Sequence, residues 1–267
     1  MKYWNVLNIG IQNTLVYRVN FLVRACFGLI PLSATLFLWE AIYRSKEAGG
    51  AVSGYLLSQM VSYYLIVTIV DGLTAVTEDD WQIAADIKDG NISQFLIKPI
   101  DYMAYRLTLF FGGRLVYMIA ALGPIAIFIY IKRAHFVLPE DLMTVAAFGL
   151  STVMAGLLQF FISYTMALLA FWVAEVSTFI FILFAFEYIA GGHLFPIDIL
   201  PSSVVTVLKF SPFPYELFFP VSVYLGRAKG PELAMGLAMQ AAWVGIAYLA
   251  AGFVWRRGIR RYTASGG

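Results

Sequence analysis

The sequence predicts an all-α membrane protein with six transmembrane helices, an N-terminal amphipathic interface helix, and short re-entrant or interfacial helices between the fifth and sixth spans. Two observations carry that class. Of 267 residues, 61% are hydrophobic and only 13% are charged, and the mean hydropathy is +0.78. A soluble domain carries about 25% charged and about 45–50% apolar residues, so the surplus apolar surface calls for lipid as its solvent. In addition, nearly charge-free runs of roughly twenty residues recur, the length that crosses about 30 Å of hydrocarbon as a helix. A bundle of this size reads as one domain, residues 1–267.

The elements follow in chain order. Residues 1–20 are mixed: Trp4, Leu7, Ile11 and Leu15 recur at helical spacing, with Asn8, Asn13 and Arg18 between them. That pattern suits an amphipathic helix lying in the cytoplasmic interface, or an untidy extension of the first span. The opening MKYWNVLNIGIQN has no short apolar core followed by a small-residue cleavage site, so the first span is expected to act as the insertion signal. That span runs from Phe21 to Tyr43, with Arg24 in its first turn able to reach the headgroups. A turn at Gly49-Gly50 follows, and Ala51–Val70 holds no charge; this is the second span, continuing to about Thr77.

The third span covers Leu107–Ile131, with Arg114 near its start and a kink expected at Gly123-Pro124. Between Thr144 and Ile197 the only charges are Glu175 and Glu187. One helix over that stretch would be about 80 Å long at 1.5 Å per residue, so it divides near Glu175–Thr178 into a fourth and a fifth span. The sixth is Met235–Trp255, after a Gly230-Pro231 start signal. With the N-terminus inside, the Lys and Arg residues split eleven to seven in favour of the cytoplasm, with the densest cluster at Arg256-Arg257 and Arg260-Arg261. Both termini are therefore expected in the cytoplasm.

Two connections are more than loops. In residues 78–104, Asp79 or Asp80 can cap a short helix, Gly90 can end it, Ser93 can cap a second turn, and Pro99 stops that turn. The apolar side chains of Ile83, Ile87, Ile92, Phe95, Leu96 and Ile97 are not needed by a solvated loop. They either pack under the bundle or fill a groove on a partner protein. Residues 191–234 hold Pro196, Pro201, Pro212, Pro214, Pro220 and Pro231, six of the ten prolines, yet stay apolar. Their runs, Val204–Phe210 and Leu217–Leu225, are too short to cross and suit re-entrant or interfacial helices.

Glu187 lies mid-way along the fifth span, where an ionisable side chain is costly and marks a functional site or a hydrogen-bonded structural carboxyl. Asp71 falls near the inner end of the second span, Glu40 at the outer boundary, and Glu175 at a cytoplasmic turn. His135 and His193 both fall on the outer side; with no HExxH pattern and Cys26 as the sole cysteine, no metal or disulfide is expected. No GxSxG nucleophile motif occurs, and a net charge of +2 gives no reason to expect nucleic acid.

The run Asp86-Ile-Lys-Asp-Gly-Asn-Ile-Ser-Gln-Phe-Leu-Ile-Lys-Pro99 resembles the D-I-(R/K)-x-G-x-(I/L)-x-x-x-L-x-(R/K)-P signature of type-2 ATP-binding-cassette permeases. It matches at Asp86, Ile87, Lys88, Gly90, Ile92, Leu96, Lys98 and Pro99. Phe195-Pro-Ile-Asp-Ile-Leu-Pro201 resembles the F-P-x-x-x-(L/I)-P motif that follows the fifth span in the same family. Pro214-Tyr-Glu-Leu-Phe-Phe-Pro220 with Leu225-Gly226 is similar to a branch often found as paired bacterial permeases.

The resemblance implies a bacterial inner-membrane exporter subunit that supplies the path, with two copies of a cytoplasmic ATPase binding ATP and magnesium. It also implies a second permease copy or a related permease. Ile83, Asp86, Ile87, Lys88, Gly90, Ile92, Phe95, Leu96, Lys98 and Pro99 would then couple to the ATPase. Phe195, Pro196 and Pro201, with Glu187, would belong to the transport path or gate. The chain carries no GxxxxGK(S/T) phosphate loop, so no cofactor or catalysis of its own is expected. The rival classes are an ATPase-independent carrier or channel, which often shows inverted repeats not found here, and a lipid-acting membrane enzyme. The latter needs clustered acid–base residues, and the one dense acidic run, Glu78-Asp79-Asp80, reads as a helix start.

Overall fold

The computed structural model describes residues 2–16, 18–45, 50–76 and 79–262. Among these the chain is helical, with no β-structure beyond an isolated Val52–Tyr55 bridge. The helices are α1 (Lys2–Val16), α2 (Arg18–Arg44), α3 (Leu57–Thr74), α4 (Asp79–Lys88), α5 (Ser93–Leu96), α6 (Tyr102–Ile131), α7 (Leu142–Ala167), α8 (Ser177–Ala190), α9 (Ser202–Lys209), α10 (Phe218–Tyr224) and α11 (Gly230–Ile259). Single 3-10 turns sit at Arg133–His135, Leu168–Phe171, Ile197–Ile199 and Phe213–Tyr215.

Among the described residues five segments are long and apolar enough to cross a membrane: Leu22–Arg44, Leu57–Thr74, Tyr102–Ile131, Leu142–Phe171 and Gly230–Ile259. The expected count of six is not met by length. The fifth expected span is α8, which has 14 residues and is therefore about 21 Å long, against the roughly 30 Å a crossing needs.

Local chemistry explains where the helices start. The expected start of the second span at Ala51 is corrected: Ser53 (φ 49) and Gly54 (φ 80) make a tight two-residue turn. Reciprocal Val52–Tyr55 backbone bonds of 3.0 and 2.9 Å close it, and α3 begins only at Leu57. Conversely, α6 begins five residues before the expected Leu107, because the Asp101 carboxylate accepts the Ala104 N–H at 2.8 Å. Asp141 caps α7 in the same way through Thr144 N–H at 2.7 Å. Pro231 occupies the first turn of α11, where its missing N–H costs nothing. The turn at Gly49 and the acid Glu78 lie outside the described residues.

Contacts define two ends of the bundle. At the loop end, Lys2 Nζ donates to Pro99 O at 3.3 Å and Tyr262 OH donates to Gly90 O at 2.8 Å. There Phe171 also meets the rings of Trp255 and Tyr262. At the hairpin end, Arg227 donates to Gly54 O at 3.2 Å and Lys229 pairs with Glu140. Tyr55 OH donates to Asp198 at 3.0 Å at this end. Among the described residues α2, α3, α6, α7 and α11 run between the two ends, and α8 with the non-helical stretch up to Asp198 also leads from the loop end to the hairpin end.

The α1 face differs from the expected one. Leu7, Gly10 and Ile11 pack on Leu109 and Gly112 of α6, while Trp4 (64% exposed) and Leu15 (46%) point away. Lys2 beside Pro99 and Ile11 beside Gly112 show that α1 follows the first turns of α6. Helix α3 is the central element: 61% of its apolar stretch is buried, against 17% for those of α2, α6 and α11. The latter three thus leave most of their apolar surface outward, as lipid-facing helices do.

Candidate functional site

The segment between α3 and α6 folds back onto the bundle at the loop end. Ile83, Ile87 and Ile92 are buried in one cluster with Tyr102, Phe110, Leu158, Tyr164 and Leu168. The spacing 83, 87 places both side chains on one face of α4, one turn apart. Phe95 of α5 packs edge-on against Tyr102 at 4.9 Å and against Tyr105 at the same distance. Of the two readings left open for these apolar residues, packing under the bundle describes Ile83, Ile87, Ile92 and Phe95.

Asp86 is the polar anchor of the segment. Its carboxylate pairs with Arg106 and accepts the Tyr102 hydroxyl at 2.7 Å. Arg106 also donates to Tyr102 OH at 2.9 Å and to Gln82 Oε1 at 3.1 Å. Arg106 is only 5% exposed, so without this set of acceptors its charge would be stranded in an apolar setting. Gly90, with φ +77, takes the left-handed conformation that ends α4. Its carbonyl then accepts from Tyr262 OH and, at 2.7 Å, from Ser93 Oγ. Ser93 thus bonds backward, while Ile92 holds the cap position of α5. Asp80, buried at 7%, accepts the Trp81 N–H within the first turn of α4; the Asp79 side chain lies outside the described residues.

What the segment presents outward is a second set of side chains. Trp81 is 47% exposed, Leu96 52% and Ile97 85%; Lys88, Asp89, Gln94, Lys98 and Pro99 are exposed around them. Lys98 lies over the Phe95 ring at 5.7 Å. The ten residues singled out by sequence therefore lie on one element with a split role. Asp86, Ile83, Ile87, Ile92 and Phe95 form its base, Gly90 the turn that ends α4, and Lys88, Leu96, Lys98 and Pro99 its surface.

The second candidate region lies deeper in the bundle, with Glu187 near enough to the start of α4 for its charge to interact with that of Asp80. Glu187 is buried at 7% near the end of α8, and Glu216 is buried at 2% in the turn before α10. Their charges interact, and each has one carboxyl oxygen without a hydrogen-bond partner. Phe218 N–H donates to Gly191 O at 3.0 Å, which joins the two segments directly. Pro196 is buried, Phe195 half-buried and Pro201 exposed; Pro201 O accepts from Val204 and Val205 to start α9.

The segment 191–229 descends into the bundle and returns. Tyr63 OH donates to Gly192 O at 2.6 Å, and Asp198 reaches Tyr55 at the hairpin end. Gln240 of α11 then donates to Tyr215 O at 2.8 Å and accepts from Ser151 of α7 at 2.9 Å. Those residues sit about 14 Å beyond the helix starts at Leu142 and Gly230. Arg227 finally brings the chain back to Gly54. His193 follows this descent: its Nε2 lies 3.1 Å from Asp71 of α3, deeper than the outer position expected for it.

Sequence reading missed Glu216, Gln240 and the Tyr55–Asp198–Arg227 group. In that group Arg227 bonds Asp198 at 3.1 Å and lies 3.8 Å from the Tyr55 ring centre. Burial and the Asp198 charge hold the Tyr55 hydroxyl well above its ordinary range, so it acts as a donor. The Pro-rich context of Glu216 and the acid within Phe195–Pro201 were the available signals. Glu175 marks the α7–α8 turn, where bonds from Ser177 hold its carboxyl below the usual range. Among the described residues no group of three or more His, Cys, Asp or Glu is arranged to hold a metal ion.

Residues 29–266 match the family model described as ABC-2 family transporter protein. No curated protein and no solved structure matches the chain.

Proposed function

Because the chain belongs to the ABC-2 transporter family, a family of multi-pass membrane proteins, we propose that it is the permease subunit of an ATP-binding-cassette exporter of the bacterial inner membrane. In this reading it is a non-catalytic subunit. ATP and magnesium are bound by two copies of a separate cytoplasmic ATPase, and a second permease copy or a related permease completes the path. The loop end faces the cytoplasm with both termini, and α8 with residues 191–198 makes the fifth of six crossings. Residues 191–234 form a re-entrant segment on the opposite side, whose descent beside α8 brings Glu187, Phe195, Pro196 and Pro201 toward the transport path.

The observation that carries the reading is the α4–α5 segment. An element anchored beneath by a buried ion pair and three isoleucines, yet presenting Trp81, Leu96 and Ile97 outward, fits a helix-in-groove contact with a partner. A rigid base is what such a contact requires, since force applied at the surface then reaches α6 through Asp86 and Arg106. Lys88 and Lys98 flank the apolar contact. The amphipathic α1, braced on α6, would lie at the same membrane face.

The test is co-purification from the native membrane with identification of retained proteins by mass spectrometry. The expected result is a soluble Walker-motif ATPase retained by the unaltered chain and lost in the double variant Leu96→Glu/Ile97→Glu. Both sites are exposed, so the variant keeps its fold. Ile87, at 5% exposure, is the wrong site for this purpose, because a charge there attacks the base. Retention of the ATPase by the double variant at unchanged stoichiometry refutes the docking role.

A further inference from the structure

At the hairpin end, α9, α10 and the first turns of α11 enclose a cavity of about 540 Å³, within the usual range for small-molecule sites. Val205, Phe218 and Met235 contribute apolar walls, and Asp198, Lys209, Ser222, Arg227 and Glu232 contribute polar groups. Its level is set by Pro231 and Glu232, the first turn of a membrane-crossing helix, which lies where hydrocarbon gives way to headgroups. Its surroundings are apolar and exposed: Val207 is 72% exposed, Phe210 72% and Met235 69%. A molecule reaches such a cavity from the bilayer.

The polar groups divide into satisfied and unsatisfied ones. Asp198 and Arg227 neutralise each other, with Tyr55 as a third partner. Lys209 and Glu232, both exposed, have no hydrogen-bond or ion-pair partner for their side chains among the described residues. Ser222 Oγ, in a residue only 5% exposed, also lacks a partner, against the general rule for buried hydroxyls. What remains on offer is one cation, one anion and one hydroxyl beside an apolar surface.

We propose that this cavity binds the headgroup of a zwitterionic phospholipid with a primary ammonium, its phosphate on Lys209 and its ammonium on Glu232. An anionic headgroup would meet Glu232 unfavourably, and a lipid with a net cationic head would meet Lys209. A choline headgroup has the charges but no N–H to donate to the Glu232 carboxylate, and a charge-assisted bond is the stronger kind. The acyl chains run out over Phe210 and Met235. This site requires only that the chain sits in a bilayer and is independent of the exporter reading.

The experiment is native mass spectrometry of the delipidated full chain in detergent, titrated separately with phosphatidylethanolamine, phosphatidylcholine and phosphatidylglycerol of matched acyl chains. Phosphatidylethanolamine is expected to bind about tenfold tighter than either competitor. Glu232→Gln should reduce it to the level of phosphatidylcholine. The reversal Lys209→Glu/Glu232→Lys, on two exposed positions that leave the fold intact, should restore the preference. Equal binding of the three lipids, binding of none, or an unchanged preference in Glu232→Gln overturns the proposal. Soluble phosphoethanolamine is a further arm: failure to displace the lipid at comparable concentration supports the bilayer source, and displacement by it overturns that source.

Discussion

Replacing Asp86 with alanine isolates the anchor of the α4–α5 segment. Arg106 would lose its carboxylate and keep only Gln82 and the Tyr102 hydroxyl, in a site where its side chain is 6% exposed. Removing one member of a buried pair costs about 3–5 kcal/mol. The Asp86 side chain is 19% exposed, so water relieves part of that cost, and about 2–3 kcal/mol is the appropriate figure. Because α4 folds back as a unit, the loss falls on local opening rather than on the whole bundle. At about 1.4 kcal/mol per factor of ten, opening becomes roughly 30- to 150-fold more frequent.

Hydrogen exchange of the protein in nanodiscs reads this directly, through the amides of Asp89 and Ile92, which bond Ala85 O at 2.8 Å and Asp86 O at 3.1 Å. Asp86→Asn, which keeps an acceptor for Arg106 and Tyr102, should lose no more than about 1 kcal/mol. An exchange change below about threefold in peptides covering 83–92 of Asp86→Ala, with peptides of α7 as control, would falsify the anchoring argument.

Two further outcomes follow from packing and charge. Gly258→Val should lower the thermal midpoint by about 5 °C, since a Cβ there would lie 2.2 Å from Phe171 Cδ2; Gly252→Ala, with nothing within 4 Å, should not lower it. Equal midpoints for the two variants would show that α11 and the 168–171 turn are not packed as described. Glu187→Gln and Glu216→Gln should be strongly non-additive in thermal unfolding, because each neutralises one member of a buried acid pair. Additivity within about 0.5 kcal/mol would mean that the two carboxyls do not share a site.

How much of this was legible in the sequence depends on what each signal encodes. Charge-free length located α2, α6, α7 and α11 well, because crossing lipid imposes a length that composition records directly. It failed at Ala51–Leu56, where the residues are apolar enough but Ser53 and Gly54 turn the backbone. It ran past the helix at α8, because hydropathy continues through Gly191-Gly192 while the helix ends at Ala190. The loop motif was readable as a pattern, yet which of its apolar residues face inward was not. That division follows from the Arg106 side chain on another helix, and the partners of a buried charge are tertiary information. Glu216 lay in a stretch already marked by its prolines, but its neighbour Glu187 is 29 positions earlier in the chain, and no local period connects them.

The bond from Tyr262 to Gly90 joins residues 172 positions apart. At about 5–20 residues per second, the ribosome delivers the hydroxyl some 10–35 seconds after the carbonyl that accepts it. Throughout that interval the α4–α5 segment is seated only by what has already been made. Its final seating is conditional on insertion of the last helix, and Trp255, stacked on Tyr102 at 5.3 Å, arrives with the same delay. A chain halted before α11 thus displays an unfinished surface at the loop end. The arrival of α11 is written into the geometry of the very face the protein presents there.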